Sequence, residues 1–350
     1  MRAFFRGRPE LAATPTVALP GLAGSLGLGA LSAKDESARF GLNAFKLLGA
    51  RFAIETLLHD GDLQPGQTVA CASEGNHGRA VARAAVAAGC AARVYMAHDA
   101  AQARVDAIAG EGADVIRVDG SYDDAVRVLR DEAAANGWTI ISDTSWPGYE
   151  RIPFLIMLGY TRMLEELGSG VPGFRSSEVG AQFPTHIFVQ GGVGGLLCAI
   201  ASWCAFHQPQ CKVIGVEPAD AACLQASARA GRAVAVEGPL NTTMAGLRNR
   251  EVSPLAFESL LPNVDAFMAI GDAWAHQAMR ALATPLNGDG TIAAGASGAA
   301  ALGGLMALCR AGAMNHARQT LALDSSSSVV VIVSEGVTDP GLWQSVVRGQ

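Results

Sequence analysis

The chain has 350 residues, 50% of them hydrophobic and only 17% charged, with a net charge of −6 and 41 glycines. That length buries a large core, as one big domain or two ordinary ones. The basic residues are dispersed, so no phosphate-backbone footprint is present and nucleic acid is excluded as a partner.

In chain order, the first twenty residues, "MRAFFRGRPELAATPTVALP", carry early arginines but no apolar core, and Glu10 interrupts them, which argues against a signal peptide. No run long enough to span a bilayer, roughly 18 uncharged apolar residues, occurs. The nearest, 188–206, is broken by glycines and reads as strand, loop and helix, so no membrane partner is expected. Seven cysteines (Cys71, Cys90, Cys198, Cys204, Cys211, Cys223 and Cys309) form no C-x-x-C pair. They read as small buried hydrophobes in a reducing compartment, which points to a cytoplasmic protein. The histidines show no metal-ligand spacing, and no metal is expected.

The stretch "RFGLNAFKLLGARFA" (39–53) places Lys46 inside an apolar helical pattern, shortly after an Asn. Taken alone, a lysine on an amphipathic helix is solvated surface. Short β-branched runs then follow at 68–73, 92–97, 114–119, 139–143, 186–191, 212–217 and 327–336, separated by Ala-rich stretches with helical spacing. This alternation predicts parallel α/β sheets covered on both faces. Four such units precede residue 145 and several follow residue 185. The Gly-, Ser- and Pro-bearing segment 159–184 reads as a crossover between two domains with a cleft between them.

Four strand-end segments are candidates for chemistry. "SEGNHGR" (73–79) lies where open α/β sheets bind ligands. Asn76 there supplies a donor and an acceptor, while His77 by itself reads as a structural histidine. "SDTSWPGYERIP" (142–153) carries Asp143 at a strand end, where it either reaches a cleft or caps a helix. "QGGVGGL" (190–196) sets four glycines in a strand-to-helix turn, either a bare tight turn or an anion cup at a helix N-terminus. "VSEGVTD" (333–339) offers Ser334, a hydroxyl for a heterocycle nitrogen or for closing a turn. The glycine loop is not a dinucleotide fingerprint, because Leu197 stands where the third glycine is required, and it lacks the Gly-Lys-Ser/Thr of a P-loop. Together these residues suit pyridoxal 5′-phosphate (PLP), which needs a Schiff-base lysine, a phosphate cradle and partners for its ring hydroxyl and nitrogen.

The order lysine, "GNHG", "GGVGG", "SEG" resembles the fold type II PLP enzymes, the tryptophan synthase β and threonine dehydratase group. More closely, "KDESARFGLNAFK", "EGNHGRAVA", "DTSWPGYERIPFLIMLGY", "PTHIFVQGGVGG", "VEPADAAC" and "SEGVTDP" resemble the diaminopropionate ammonia-lyase family, from about residue 14 to residue 347. The resemblance implies two open parallel-sheet α/β domains with the cofactor in the cleft between them. Residues 1–62 plus 171–350 would make the large PLP-binding domain and 63–170 the small one. It implies Lys46 as Schiff-base lysine, Asn76 on the ring hydroxyl, Gly191, Gly192, Val193, Gly194 and Gly195 around the phosphate, and Ser334 at the ring nitrogen. A lysine held in a dry cleft is disfavoured as an ammonium and becomes a nucleophile and base. The implied reaction is α,β-elimination of ammonia from 2,3-diaminopropionate, giving pyruvate and ammonia, in a homodimer.

The family also places carboxylates at two strand ends, which map to Glu74 and Asp143. Two bases on opposite faces of the ring would let one site accept both enantiomers. The family usually reads "DGNHG", whereas this chain has Glu74, whose extra methylene moves the carboxylate by about 1.5 Å. A misplacement of that order at a reacting group costs around 100-fold. At Ala296 the family commonly has an acidic residue. Both departures bear on the identity of the β-substituted amino acid. The alternatives are a serine/threonine-type dehydratase or a β-replacement synthase on the same fold; a non-catalytic PLP-binding relative is disfavoured by the intact Lys46, Asn76, glycine loop and Asp143.

Overall fold

The β-branched runs condense into two sheets in a computed structural model that describes residues 2–6, 8, 11–167, 183–286 and 288–349. Among these residues the strands are β1 (Thr16–Ala18), β2 (Ala30–Asp35), β3 (Thr68–Ala72), β4 (Ala91–Ala97) and β5 (Asp114–Val118). They continue as β6 (Thr139–Ile140), β7 (His186–Gln190), β8 (Lys212–Pro218), β9 (Ala266–Ile270) and β10 (Ser328–Val333). By its contacts the chain divides into two units, residues 1–11 with 46–160, and residues 12–45 with 161–350.

The smaller unit carries a four-stranded parallel sheet in the order β5-β4-β3-β6. Its centre is apolar throughout, with Val69, Ala70, Val94, Tyr95 and Met96 fully buried, as a doubly covered parallel sheet requires. The run expected to be a strand over 139–143 pairs with β3 only at Thr139 and Ile140. Beyond that point Ile141 still donates to Ala70, but Ser142 is taken by the Tyr149 hydroxyl at 2.9 Å, which bends the chain out of the sheet before Asp143.

The larger unit carries a six-stranded sheet in the order β1-β2-β10-β7-β8-β9, parallel except for the β1–β2 pair. The helix Ala296–Arg310 packs on it with nearly every residue buried. Its alanines and glycines allow that approach: a Cβ at Gly304 would lie 2.7 Å from Val216 of β8. Strands β1, β2 and β9 escape the sequence pattern because they are short or rich in Ala and Ser. In β2, Lys34 is wholly buried, a residue that no hydropathy pattern assigns to a core.

A buried ionic cluster explains that lysine. Lys34 Nζ lies 2.8 Å from Glu166 Oε2 and 3.4 Å from Glu36 Oε1, and Arg39 binds both Glu36 and Glu166. Burial alone would push the Glu166 carboxyl up, but the Arg39 and Lys34 charges and their hydrogen bonds bring it below the usual carboxylate range. All seven cysteines are free, five of them buried and Cys211 and Cys309 half-buried. The segment 188–206 is strand, glycine loop and helix, and no single helix among the described residues is long and apolar enough to cross a membrane. Of the expected crossover over 159–184, residues 168–182 lie outside the described residues. The helix Leu47–Asp60, which a boundary at residue 62 would assign to the larger domain, clusters with the smaller unit.

Candidate active site

Lys46 stands at the very start of a helix, with helical backbone angles and no side-chain capping bond. It occupies the N-cap position of the helix Leu47–Asp60, with its side chain 24% exposed. That helix is pressed against the helix Arg151–Tyr160 at a pair of glycines: a Cβ at Gly49 would meet Tyr160 Cε1 at 2.6 Å, and one at Gly159 would meet the Leu48 carbonyl at 2.6 Å. Only hydrogen at both positions permits this crossing, which fixes where the Lys46 side chain begins. Lys46 Nζ donates to Asp143 Oδ2 at 2.6 Å and lies 5.9 Å from the centre of the Tyr160 ring.

Asp143 stands in the turn that leaves β6. Burial would raise its carboxyl, but the Lys46 and His77 charges, with the Lys46 hydrogen bond, hold it well below the usual carboxylate range. Burial also pushes the neighbouring Cys71 thiol and the Tyr149 and Tyr160 hydroxyls upward, so these groups stay neutral around the carboxylate. The turn is braced by Tyr149, whose hydroxyl donates to the Ile140 carbonyl at 2.7 Å and whose ring stacks on Trp146 at 3.9 Å.

The segment 73–79 lies against the same turn. Ser73 Oγ accepts from the backbone of Gly75 and Gly78, and Asn76 opens the helix Asn76–Ala87, half-buried at its first position. His77 has the structural part expected of a lone histidine: its Nε2 donates to the Ile141 carbonyl at 2.9 Å. That bond leaves Nδ1 facing Asp143 Oδ2 at 3.8 Å, beyond hydrogen-bond distance. Glu74 is engaged elsewhere. Its carboxylate accepts from the Ala97 N–H at 3.3 Å and lies 3.6 Å from Arg104, while Asp143 faces Lys46.

In the larger unit, the loop after β7 runs Gly191, Gly192, Val193, Gly194 and enters the helix Gly195–His207. Gly194 has φ of 99°, the left-handed region, and a side chain there would also strike Leu260 at 2.9 Å. The loop is held by its neighbours: Gly191 donates to Val216, Val193 accepts from Ser253, and the Cys223 thiol faces the Gly192 carbonyl. The first N–H groups of a helix have no partner within it, so this end presents donors and a positive dipole to an anion. Beneath the loop, Glu217 is fully buried, accepts from Leu224 and Gln225 at 2.8 Å each, and is pushed up to about 7 by burial.

Ser334 directly follows β10, buried, with its Oγ 2.9 Å from Gln190 Nε2. Its carbonyl accepts from Phe45, and Gly336 donates to Asn43, so the chain leading into Lys46 pairs with the segment after Ser334. Ala296, where an acidic residue is common, is a buried first residue of its helix. Nearby, a Cβ on Gly295 would lie 3.4 Å from a carboxylate oxygen of Glu335, and one on Gly246 would lie 3.6 Å from the other. Glu335 thus supplies a buried acid in this region, which the motif contained but the residue-by-residue reading passed over.

Residues 8–335 match the family model described as pyridoxal-phosphate dependent enzyme. The chain belongs to that family. Its cofactor is pyridoxal phosphate and its fold is type II of the PLP enzymes. The chain is 38% identical to the diaminopropionate ammonia-lyase of Escherichia coli strain K12 over 95% of its length and 87% of that protein. It is 34% identical to the enzyme of the same name from Salmonella typhimurium, over 99% of this chain and 90% of that one. The crystal structure of the Escherichia coli diaminopropionate ammonia-lyase in complex with an aminoacrylate-PLP azomethine reaction intermediate superposes with a TM-score of 0.87 at 37% identity. That match covers 100% of this chain and 90% of the other.

The residues present fit the family's cofactor. The glycine turn offers donors at a helix N-terminus for a phosphate, and Lys46 is a primary amine with a carboxylate in proton-transfer distance. Ser334 is a buried hydroxyl accepting one hydrogen bond. Gln190 and Glu217, both buried around the glycine loop, were given no role by motif reading. The signal for either was a polar residue near the end of a strand with an apolar middle.

Proposed function

We propose that this protein is a PLP-dependent carbon–nitrogen lyase that eliminates ammonia from 2,3-diaminopropionate or a close β-substituted amino acid, giving pyruvate and ammonia. The observation that carries this reading is the 2.6 Å contact between Lys46 Nζ and Asp143 Oδ2. It joins an amine to a buried carboxylate, the pair that abstraction at Cα and protonation of an amine leaving group both need. Hydroxyl elimination, by contrast, is served by the cofactor's own phosphate as acid.

In this reading, bound PLP, joined through Lys46, supplies an electron sink that acidifies the Cα–H of the substrate. The chain of Gly191, Gly192, Val193, Gly194 and Gly195 holds the phosphate, Asn76 meets the ring hydroxyl, and Ser334 meets the ring nitrogen. Lys46 Nζ would take the Cα proton. Asp143 Oδ2, kept ionised beside Lys46, would relay that proton to the departing β-amine. Loss of that amine as ammonia leaves aminoacrylate, which water hydrolyses to pyruvate and a second ammonia. Glu74 replaces the family's aspartate as the further carboxylate at this strand end. Its attachment to Ala97 and Arg104 leaves proton transfer to Asp143.

The test is pyruvate release from D- and L-2,3-diaminopropionate beside D- and L-serine and threonine, with the visible absorbance of the bound cofactor monitored. Fast turnover of diaminopropionate is expected, abolished in Lys46→Ala. Retained absorbance with turnover only of hydroxy amino acids would favour the dehydratase, and a β-substituted product on adding a nucleophile would favour the synthase. We further propose a homodimer, on the strength of the family resemblance, which light scattering of the purified protein checks, and a cytoplasmic location, on the strength of the seven free cysteines.

A further inference from the structure

The helix Gly195–His207 and β8 are joined by a short reverse turn, at the end of that helix away from the glycine loop. Cys204 lies in the last turn of the helix and is 1% exposed, while Cys211 directly precedes β8 and is half-buried. Two backbone bonds set the turn. Gln208 N–H donates to the Cys204 carbonyl at 2.7 Å, and Cys211 N–H donates to the Gln208 carbonyl at 2.9 Å. Gln208 therefore stands one helical turn beyond Cys204, and the chain folds back over it, returning Cys211 to the foot of the helix. There the Cys211 thiol is in hydrogen-bonding contact with the Cys204 thiol.

Other thiols of the chain face different groups: Cys90 the Gln64 carbonyl, Cys198 the Ser202 hydroxyl and Cys223 the Gly192 carbonyl. A disulfide needs its sulfurs about 2 Å apart, on backbones close enough that side-chain rotation alone brings them there. Two thiols that already share a hydrogen bond across a closed turn meet that condition. The hydrogen bond to Cys204, and then burial, push the Cys211 thiol up, so it is uncharged at neutral pH and a slow nucleophile. The pair thus stays reduced in reducing surroundings and reacts only when an oxidant is supplied.

We propose that Cys204 and Cys211 are a redox-sensitive dithiol that hydrogen peroxide converts into a disulfide, stapling the foot of the helix Gly195–His207 to the start of β8. Cys211, the more exposed of the two, loses its proton and attacks a peroxide oxygen. The O–O bond breaks, Cys211 becomes a sulfenic acid, and the other oxygen leaves as water with the thiol proton. The Cys204 sulfur then attacks the Cys211 sulfur, the S–O bond breaks, and the hydroxyl departs with the Cys204 proton as a second water. Two thiols are oxidised by two electrons in all, and one peroxide is reduced to two waters. A dithiol reductant reopens the bond by exchange. The link closes a loop of about eight residues, which restrains the unfolded chain and so stabilises the folded one. The glycine turn lies at the opposite end of this 13-residue helix, about 20 Å away at the usual rise per residue. The staple therefore acts on the stability of the larger unit and not on turnover.

The experiment treats the holoenzyme with hydrogen peroxide, unfolds it, alkylates the remaining thiols and cuts with chymotrypsin after Phe206, which lies between the two cysteines. Mass spectrometry is expected to find the Cys204 peptide joined to the Cys211 peptide, two hydrogens lighter than the separate pair. The joined species should be absent before peroxide and after dithiothreitol. The oxidised protein should melt at a higher temperature than the reduced one, with turnover and cofactor absorbance unchanged, and Cys211→Ser should show neither the joined peptides nor the shift. A Cys211 driven to sulfinic acid beside an alkylated Cys204 would overturn the proposal. So would both cysteines alkylated at a peroxide dose that fully oxidises free glutathione in a parallel tube. Joined peptides with an unchanged melting temperature would overturn the staple. Should Cys211→Ser fail to fold, the peptide map of the unmodified protein decides by itself.

Discussion

Glu217→Gln makes the support beneath the glycine loop measurable. Glu217 is fully buried on β8, and burial lifts its carboxyl from 4.5 to about 7 despite two backbone N–H donors at 2.8 Å. The folded protein therefore binds a proton here that the unfolded chain has released, and stability falls as pH rises from the ordinary value through about 7. At about 1.4 kcal/mol per tenfold, that difference amounts to about 3 kcal/mol, all of it lost above the folded value. A glutamine cannot ionise and carries no such slope. Any fixed change from its amide meeting Leu224 and Gln225 is independent of pH. Guanidinium unfolding of both holoproteins, followed by the fluorescence of the five tryptophans, reads the difference directly. The stability of Glu217→Gln relative to the unmodified protein should climb by about 3 kcal/mol between mildly acidic and mildly alkaline pH. Parallel pH profiles would refute the argument that Glu217 is protonated when folded at neutral pH.

Other outcomes follow from the same structure. Asp143→Asn should lower kcat/KM for diaminopropionate by about 10²–10⁴-fold while the cofactor absorbance persists, the range of a positioned proton-transfer group. Because the Asp143 carboxyl is held low, its contribution to stability is present above the ordinary carboxylate range and lost on acidification, so Asp143→Asn should also flatten the acid side of the stability profile. Glu166→Gln removes a charge that Lys34, Arg39 and Arg162 share in a dry site, and it should cost about 3–5 kcal/mol in denaturant unfolding. Gly191→Ala sets a Cβ 2.4 Å from Leu224 and 3.0 Å from Glu217. The overpacking should cost about 1–3 kcal/mol and weaken cofactor affinity, measured by equilibrium dialysis.

The strands whose sequences alternate or run apolar, β3, β4, β5, β7, β8 and β10, lie where their residues predict. The same holds for the strand-to-helix positions of "SEGNHGR" and "QGGVGGL", because Gly and β-branched patterns act locally. Local pattern also carried the cofactor, since a lysine, an asparagine, a glycine turn and a serine in that order constrain chemistry without any knowledge of packing.

Tertiary structure decided the rest. Lys46 looks helical by hydropathy and does open its helix, but the close approach of that helix to Arg151–Tyr160 at Gly49 and Gly159 is a tertiary contact. Its partner Asp143 lies 97 residues away in sequence, a contact made only when Ser142 leaves the sheet for Tyr149. The buried Lys34 has no hydropathy signature, and its place in the core depends on Glu36 and Glu166, the latter 132 residues on. Gln190 acquires its orientation from carbonyls on β10 and on the helix Ala296–Arg310. Sequence by itself determined which groups are present and in what local turns they stand. The direction in which each proton points, and which charge each carboxylate faces, came from long-range packing, because burial and pairing act through space and leave no period in the chain.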